Sequence, residues 1–182
     1  MKKCLIVVDY QNDFVCGSLG NENAREIDER IAFKINQYHD NNDCVIFTFD
    51  THGADYLSTR EGRYLPVEHC IRGTEGHRLY GKTADCARDN DIRLYKGSFG
   101  SDELYEYIKA NHFDSIELVG VVTDICVISN AVLAKTAAPE TDVIVDASCV
   151  ASNDNELNDA ALKVMKSMQI DIINGKEEDK NE

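Results

Sequence analysis

The chain has 182 residues, 43% of them hydrophobic, enough for one globular domain to bury a core without metal or disulfide staples. Its formal net charge of −14 excludes the basic surface that nonspecific binding to nucleic acid or to an anionic membrane needs. Seven cysteines without CxxC spacing read as free thiols of a reducing compartment, the cytoplasm, and no apolar run has the length of a secretory core or a membrane span.

The first apolar run, Cys4 to Val8, reads as a buried strand that stops at Asp9. Glu22 to Asp40 follows, with Ile27, Ile31, Ile35 and Tyr38 at spacings of four, four and three, the pattern of one helix face. Cys44 to Phe49 is a second strand with Asp50 and His52 just beyond it. Thr51 to Arg93 is then irregular and rich in Gly, His, Arg and Tyr, and long irregular connections in compact domains commonly carry function. Ile92 to Tyr95 forms a third strand ahead of Lys96. Ser101 to Ala110 reads as a helix, with Ser101 as N-cap before Leu104, Tyr105 and Ile108. Ile116 to Val119, Val143 to Val145 and Ile170 to Ile173 complete the strands, and Asp124 to Ala137 and Asn155 to Met168 the helices. Short apolar runs alternating with helices indicate an α/β fold, a doubly wound parallel sheet covered on both faces. One domain is expected over residues 1–174, with Gly175 to Glu182 a charged, disordered tail.

In such a sheet, ligands bind beyond the carboxyl ends of the strands. That rule selects Asp9, Asp50, His52, Lys96 and Cys126. Cys126 follows a strand that breaks at Gly120 and opens a helical segment, where backbone N–H groups would lower a thiol pKa and make it a nucleophile; a buried structural cysteine is the ordinary alternative. Asp9 could serve as its base, with burial raising its pKa and Lys96 lowering it, or could simply cap a turn. Asp50 and His52, two apart on extended chain, project to one side, and His69 from the irregular loop can complete a three-ligand catalytic metal site. Cys70 could compete as a ligand, but adjacent residues rarely aim at one ion and His69 is preferred; Glu61 could supply a fourth oxygen, and either His could instead lie on the surface.

Four motifs occur in order: Val8-Asp9-Tyr10-Gln11-Asn12-Asp13-Phe14; Asp50-Thr51-His52 with Leu65-Pro66-Val67-Glu68-His69-Cys70 and Gly73-Thr74-Glu75-Gly76; Lys96-Gly97; and Gly120-Val121-Val122-Thr123-Asp124-Ile125-Cys126-Val127. Together they resemble the isochorismatase-like cysteine hydrolases, and within them the nicotinamidases. The resemblance implies a mostly parallel six-stranded sheet and an Asp9–Lys96–Cys126 triad. It also implies a cis peptide at Val121-Val122 and an oxyanion hole from the Val122 and Cys126 amides. Asp50, His52 and His69 would hold a divalent metal, commonly zinc, that binds the pyridine nitrogen of the substrate, with Phe14 packed against the ring. Glu61 is offset by about a residue from the family's extra ligand.

The implied reaction is hydrolysis of a small amide, nicotinamide to nicotinate and ammonia, through a thioester. The partners are then a small molecule and, as in many relatives, further copies of the chain. Thr51 stands where the family has tryptophan, the chain has no Trp, and Val122 replaces alanine. The Gly-Ser-Phe-Gly-Ser run after Lys96 is also shorter than the corresponding loop of many nicotinamidases. The missing aromatic wall would come from Tyr56, Tyr64 or Tyr95. The alternatives are another amidase or N-carbamoyl hydrolase, with Arg60, Arg63 or Arg72 binding a carboxylate, and an isochorismatase-type vinyl-ether hydrolase, which would not need the cysteine.

Overall fold

A computed structural model describes residues 2–175; the tail expected from Gly175 onward lies, past that residue, outside the described residues. The apolar runs become β1 (Lys3–Val8), β2 (Cys44–Asp50), β3 (Ile92–Lys96), β4 (Ser115–Val121), β5 (Asp142–Ala151) and β6 (Asp171–Ile173). They form one sheet in the order β3-β2-β1-β4-β5-β6, and every neighbouring pair is parallel. The helices are α1 (Asn12–Val15), α2 (Glu22–Glu26), α3 (Asp28–Asp40), α4 (Arg60–Tyr64), α5 (Gly81–Cys86), α6 (Asp102–Asn111), α7 (Ile128–Ala137) and α8 (Asn155–Ser167).

Side chains alternate across β1, and that alternation builds two cores. Cys4, Ile6 and Val8 pack with Leu104 and Ile108 of α6, Ala131 and Ala134 of α7 and Met165 of α8. Leu5 and Val7 pack on the other face with Ile31 and Ile35 of α3 and with Val45 and Phe47 of β2. Helices therefore cover both faces, as the continuous apolar runs required. The order reverses beside β1, so the crevice for a ligand lies between the carboxyl ends of β1 and β4. Gly120 lets those two ends meet. Its φ is +111°, and a Cβ there would sit 2.2 Å from the Val8 carbonyl oxygen.

Two elements differ from expectation. The single helix expected over Glu22 to Asp40 is split at Ile27. Asp28, the first residue of α3, turns its carboxylate to accept from the Lys82 and Thr83 amides at 2.8 and 3.0 Å, capping α5 from another part of the chain. The fifth strand runs ten residues rather than three. Its register shifts against β4 between Leu118 and Gly120, and the polar residues Asp146 and Ser148 in the shifted segment hide the strand from an apolar pattern.

Asp146 belongs to a buried ion cluster away from the ligand crevice. Lys34 Nζ of α3 lies 2.6 Å from Glu117 Oε1 and 2.8 Å from Asp146 Oδ2. Tyr38 donates to the other Glu117 oxygen at 2.7 Å. Burial pushes the Asp146 carboxyl up, but hydrogen bonds from Lys34, Ser148 and Asn174 outweigh it and hold the pKa below the usual value. Lys34→Met leaves two buried carboxylates without a cation and is expected to cost about 3–5 kcal/mol in urea denaturation at neutral pH. A depressed carboxyl stabilises the fold above its unfolded pKa of 3.8, and that contribution is lost as pH falls through the lower folded value. The difference between the variant and the parent should therefore shrink below that pH.

Candidate active site

Asp9 caps the carboxyl end of β1 in a left-handed conformation, φ 48°, and is fully buried. Thr48, from the adjacent strand, holds it: the Asp9 amide donates to Thr48 Oγ1 at 3.2 Å, and that hydroxyl donates to Asp9 Oδ1 at 2.7 Å. Lys96 ends β3 in register with Asp50, and its side chain reaches past β2. Its Nζ stands 2.6 Å from Asp9 Oδ2, 3.6 Å from Cys126 Sγ and 3.7 Å from Asp50 Oδ1, and it donates to the Ser98 carbonyl at 2.9 Å. The Lys96–Asp9 contact is thus a short ion pair between two buried groups.

Cys126 sits in a single π turn, Thr123–Val127, between β4 and α7 rather than in a continuous helix from Asp124. The Val122 carbonyl accepts from the Val127 amide at 3.1 Å, the wide turn that recurs at functional sites. The Val121-Val122 peptide is cis. Asn130 secures the turn, donating to the Cys126 carbonyl at 2.8 Å and the Phe99 carbonyl at 3.1 Å while accepting from the Ser101 amide at 3.0 Å. The loop that carries Lys96 and the turn that carries Cys126 are thereby joined.

The thiol was expected to have a lowered pKa, and the structure reverses this. Burial, reinforced by the Asp9 charge, pushes Cys126 well up despite Lys96. Burial also raises Asp9, with Lys96 opposing it. Burial works against the Lys96 ammonium, but the Asp9 and Asp50 charges outweigh it and raise its pKa. A thiol whose pKa is raised needs a base to become a nucleophile, and a carboxylate of raised pKa is a stronger one.

Asp50, His52 and His69 come together as their spacing suggested, and Glu61 of α4 joins them, with ligand atoms all within 4.8 Å of one another. His52 and His69 Nε2 lie 3.0 and 3.3 Å from Asp50 Oδ2, and each is 3.7 Å from Glu61 Oε1. An isolated bridge between His52 and Ile71 brings the two histidine segments side by side. His69 donates from Nδ1 to the Val67 carbonyl at 2.9 Å, which fixes the ring with Nε2 facing the cluster. Two carboxylates and two imidazoles suit a divalent transition ion such as zinc. Cys70 stays out of the group: its amide donates to Asp13 Oδ2 at 2.7 Å and its thiol is buried.

Phe14 faces this cluster, its ring centroid 5.5 Å from that of His69. Of the three tyrosines, Tyr56 is buried against His52 and His69 at 4.7 and 4.9 Å, Tyr95 stacks on Phe49 and His77, and Tyr64 points to solvent. Gln11, Thr48 and Asn130 were missed as site residues. Gln11 accepts from the Asp50 amide at 2.8 Å and donates to the Asp50 and His77 carbonyls at 3.0 and 2.9 Å. A glutamine three residues past a strand end, inside a motif, was the one available signal. Thr48 and Asn130 lie within an apolar strand and a helix and offered none.

The model of the isochorismatase domain matches residues 3–177. The isochorismatase family protein PncA of Bacillus subtilis strain 168 is 34% identical over 143 residues, 72% of this chain and 78% of its own. The crystal structure of a nicotinamidase/pyrazinamidase from Bacillus subtilis superposes with a TM-score of 0.85 at 32% identity, over 94% of this chain and 99% of that one. A Pyrococcus horikoshii pyrazinamidase in complex with zinc has the same fold, TM-score 0.83 at 24% identity, covering 95% and 99%. With the reversed strand order and the groups gathered at the β1–β4 crevice, these matches assign the chain to the isochorismatase family.

Proposed function

We propose that the protein hydrolyses nicotinamide to nicotinate and ammonia. Carrying this reading is the position of Lys96, one ammonium within 3.7 Å of Asp9, Cys126 and Asp50, so that a nucleophile, its base and a metal-type donor set open on one crevice. Asp9 takes the Cys126 proton, and the thiolate attacks the amide carbonyl. The Val122 and Cys126 amides hold the oxyanion, with Lys96 adding positive charge nearby. Protonated Asp9 then gives its proton to the leaving ammonia, and Asp9 activates the water that opens the thioester. Phe14 packs against the pyridine ring. Asp50, His52, Glu61 and His69 would hold a divalent ion, zinc in this reading, which supplies a Lewis acid for the ring nitrogen.

The same reading makes residues 1–174 one catalytic domain that works in the cytoplasm on a product of NAD breakdown, as a homo-oligomer. No helix among the described residues is long and apolar enough to cross a membrane. An N-carbamoyl hydrolase would need a cation to hold its carboxylate, and each of the three candidate arginines has a contact of its own. Arg60 and Arg72 lie over the Tyr64 and Tyr95 rings, and Arg63 donates to the Ser58 carbonyl.

The test is ammonia release from nicotinamide and from benzamide, which lacks the ring nitrogen. Turnover of nicotinamide should exceed that of benzamide by roughly 100-fold. No ammonia from either, with metal-replete protein, would sink the reading. Chelator treatment is expected to lower kcat/KM for nicotinamide by roughly 100-fold, mostly through KM, with zinc restoring it. An unchanged KM after complete metal removal would contradict the positioning role.

A further inference from the structure

Cys4 and Cys44 stand at the opposite end of the sheet from the catalytic groups. They are register partners on β1 and β2, and both side chains pack on the face covered by α6, α7 and α8. Residues in register on neighbouring parallel strands have Cα atoms about 4.8 Å apart. That lies inside the roughly 4.4–6.8 Å spanned by disulfides. Cys4 is fully buried, whereas Cys44 is half-buried and lines an open recess with Lys2, Asn41, Asn42 and Asp43. One thiol can meet a small solute, and the other can meet only its neighbour.

We propose that Cys4 and Cys44 form a peroxide-oxidisable dithiol, with Cys44 as the reacting thiol and Cys4 as the one that resolves the product. The electrostatics agree with this division. The hydrogen bond from Cys4, aided by Tyr107 and the Lys2 charge, holds Cys44 below the ordinary thiol range against its burial, while burial pushes Cys4 up. The Cys44 thiolate attacks one oxygen of hydrogen peroxide and the O–O bond breaks. The departing hydroxide takes up a proton to leave as water. Cys44 is now a sulfenic acid, oxidised by two electrons as the peroxide is reduced. The Cys4 sulfur then displaces the sulfenic hydroxyl, which leaves with the Cys4 proton as a second water, and the S–S bond forms. Cys44 lines the open recess, so the bond stays within reach of a small thiol reductant. The proposal is independent of the amidase reading, because neither sulfur lies in the catalytic crevice.

The experiment treats the full chain with a few equivalents of hydrogen peroxide, alkylates the remaining thiols with iodoacetamide in denaturant and maps the peptides by non-reducing mass spectrometry. A Cys4–Cys44 linked peptide, two hydrogens lighter than the separate peptides and abolished by dithiothreitol, should appear before any product at the exposed Cys16. Cys4→Ser should instead yield Cys44 sulfinate. The proposal is overturned if Cys16 oxidises while Cys4 and Cys44 remain fully alkylated. It is equally overturned if Cys44 in the unaltered chain proceeds to sulfinate with Cys4 still free. The linked peptide is sought in the native sequence, so a folding defect in Cys4→Ser does not affect that reading.

Discussion

Cys126→Ala is expected to lower kcat for ammonia release from nicotinamide by roughly 10⁴-fold or more, with KM nearly unchanged. Alanine removes the only atom that can form the thioester, while Asp9, Lys96 and the metal-type cluster, which lie on other strands and loops, keep their contacts. Cys126→Ser should be almost as inactive. A serine hydroxyl is a much weaker acid than a thiol, and here it would sit in a buried place that already disfavours the anion. Both variants should stay within about 2 kcal/mol of the parent in urea denaturation, the usual scale for a small core change. Turnover within tenfold of the parent in a folded alanine variant would remove Cys126 from the mechanism. Mass spectrometry of the parent under rapid quench should show the acyl adduct on Cys126 and on no other cysteine.

Asp9→Asn separates the base from the nucleophile. The amide keeps the shape of the carboxylate and its bond with Thr48 but cannot accept the thiol proton, so kcat should fall by roughly 10³-fold. Thiol reactivity should move the other way. After burial, the Asp9 charge is the largest cause raising the Cys126 pKa, and Lys96 is the group that lowers it. Removing that negative charge leaves Lys96 opposed only by burial and by the more distant Asp50 charge, so the thiol pKa drops and a larger thiolate fraction is present at neutral pH. Iodoacetamide should therefore alkylate Cys126 faster in the variant while amide hydrolysis slows. A merely structural role for Asp9 would slow turnover without accelerating alkylation. The variant also leaves Lys96 with Asp50 as its nearest anion at 3.7 Å, so a stability loss accompanies the kinetic change.

Asp9, Asp50, Lys96 and Cys126 were legible because a parallel sheet sends the carboxyl ends of its strands to one edge, and each residue stands at or beyond such an end. His69 was legible only through its motif, since nothing local says that an irregular loop folds back to lie beside His52. Glu61 was seen as an oxygen source, but its membership of the cluster depends on the short helix α4, which carries no apolar period to announce it. Lys34 illustrates the deeper limit. On an exposed helix face and in a buried ion cluster it reads the same, because its partners come from β4 and β5 more than 80 residues away. The thiol pKa failed for a related reason: the helical start supplies a local effect, whereas burial and the Asp9 charge are properties of the assembled crevice.

Gly120 carries a consequence for heredity. Every amino acid that a base change can put in its place adds a Cβ, and that carbon collides with the Val8 backbone, which cannot swing aside as a side chain could. The strand neighbours Val119 and Val121 have room to drift among apolar types over generations, since a core tolerates exchanges of similar volume. Position 120 has no such neutral neighbourhood. Descendants of this chain should vary freely around it while the glycine itself stays put, and lineages that lose it should be those that have also abandoned Cys126.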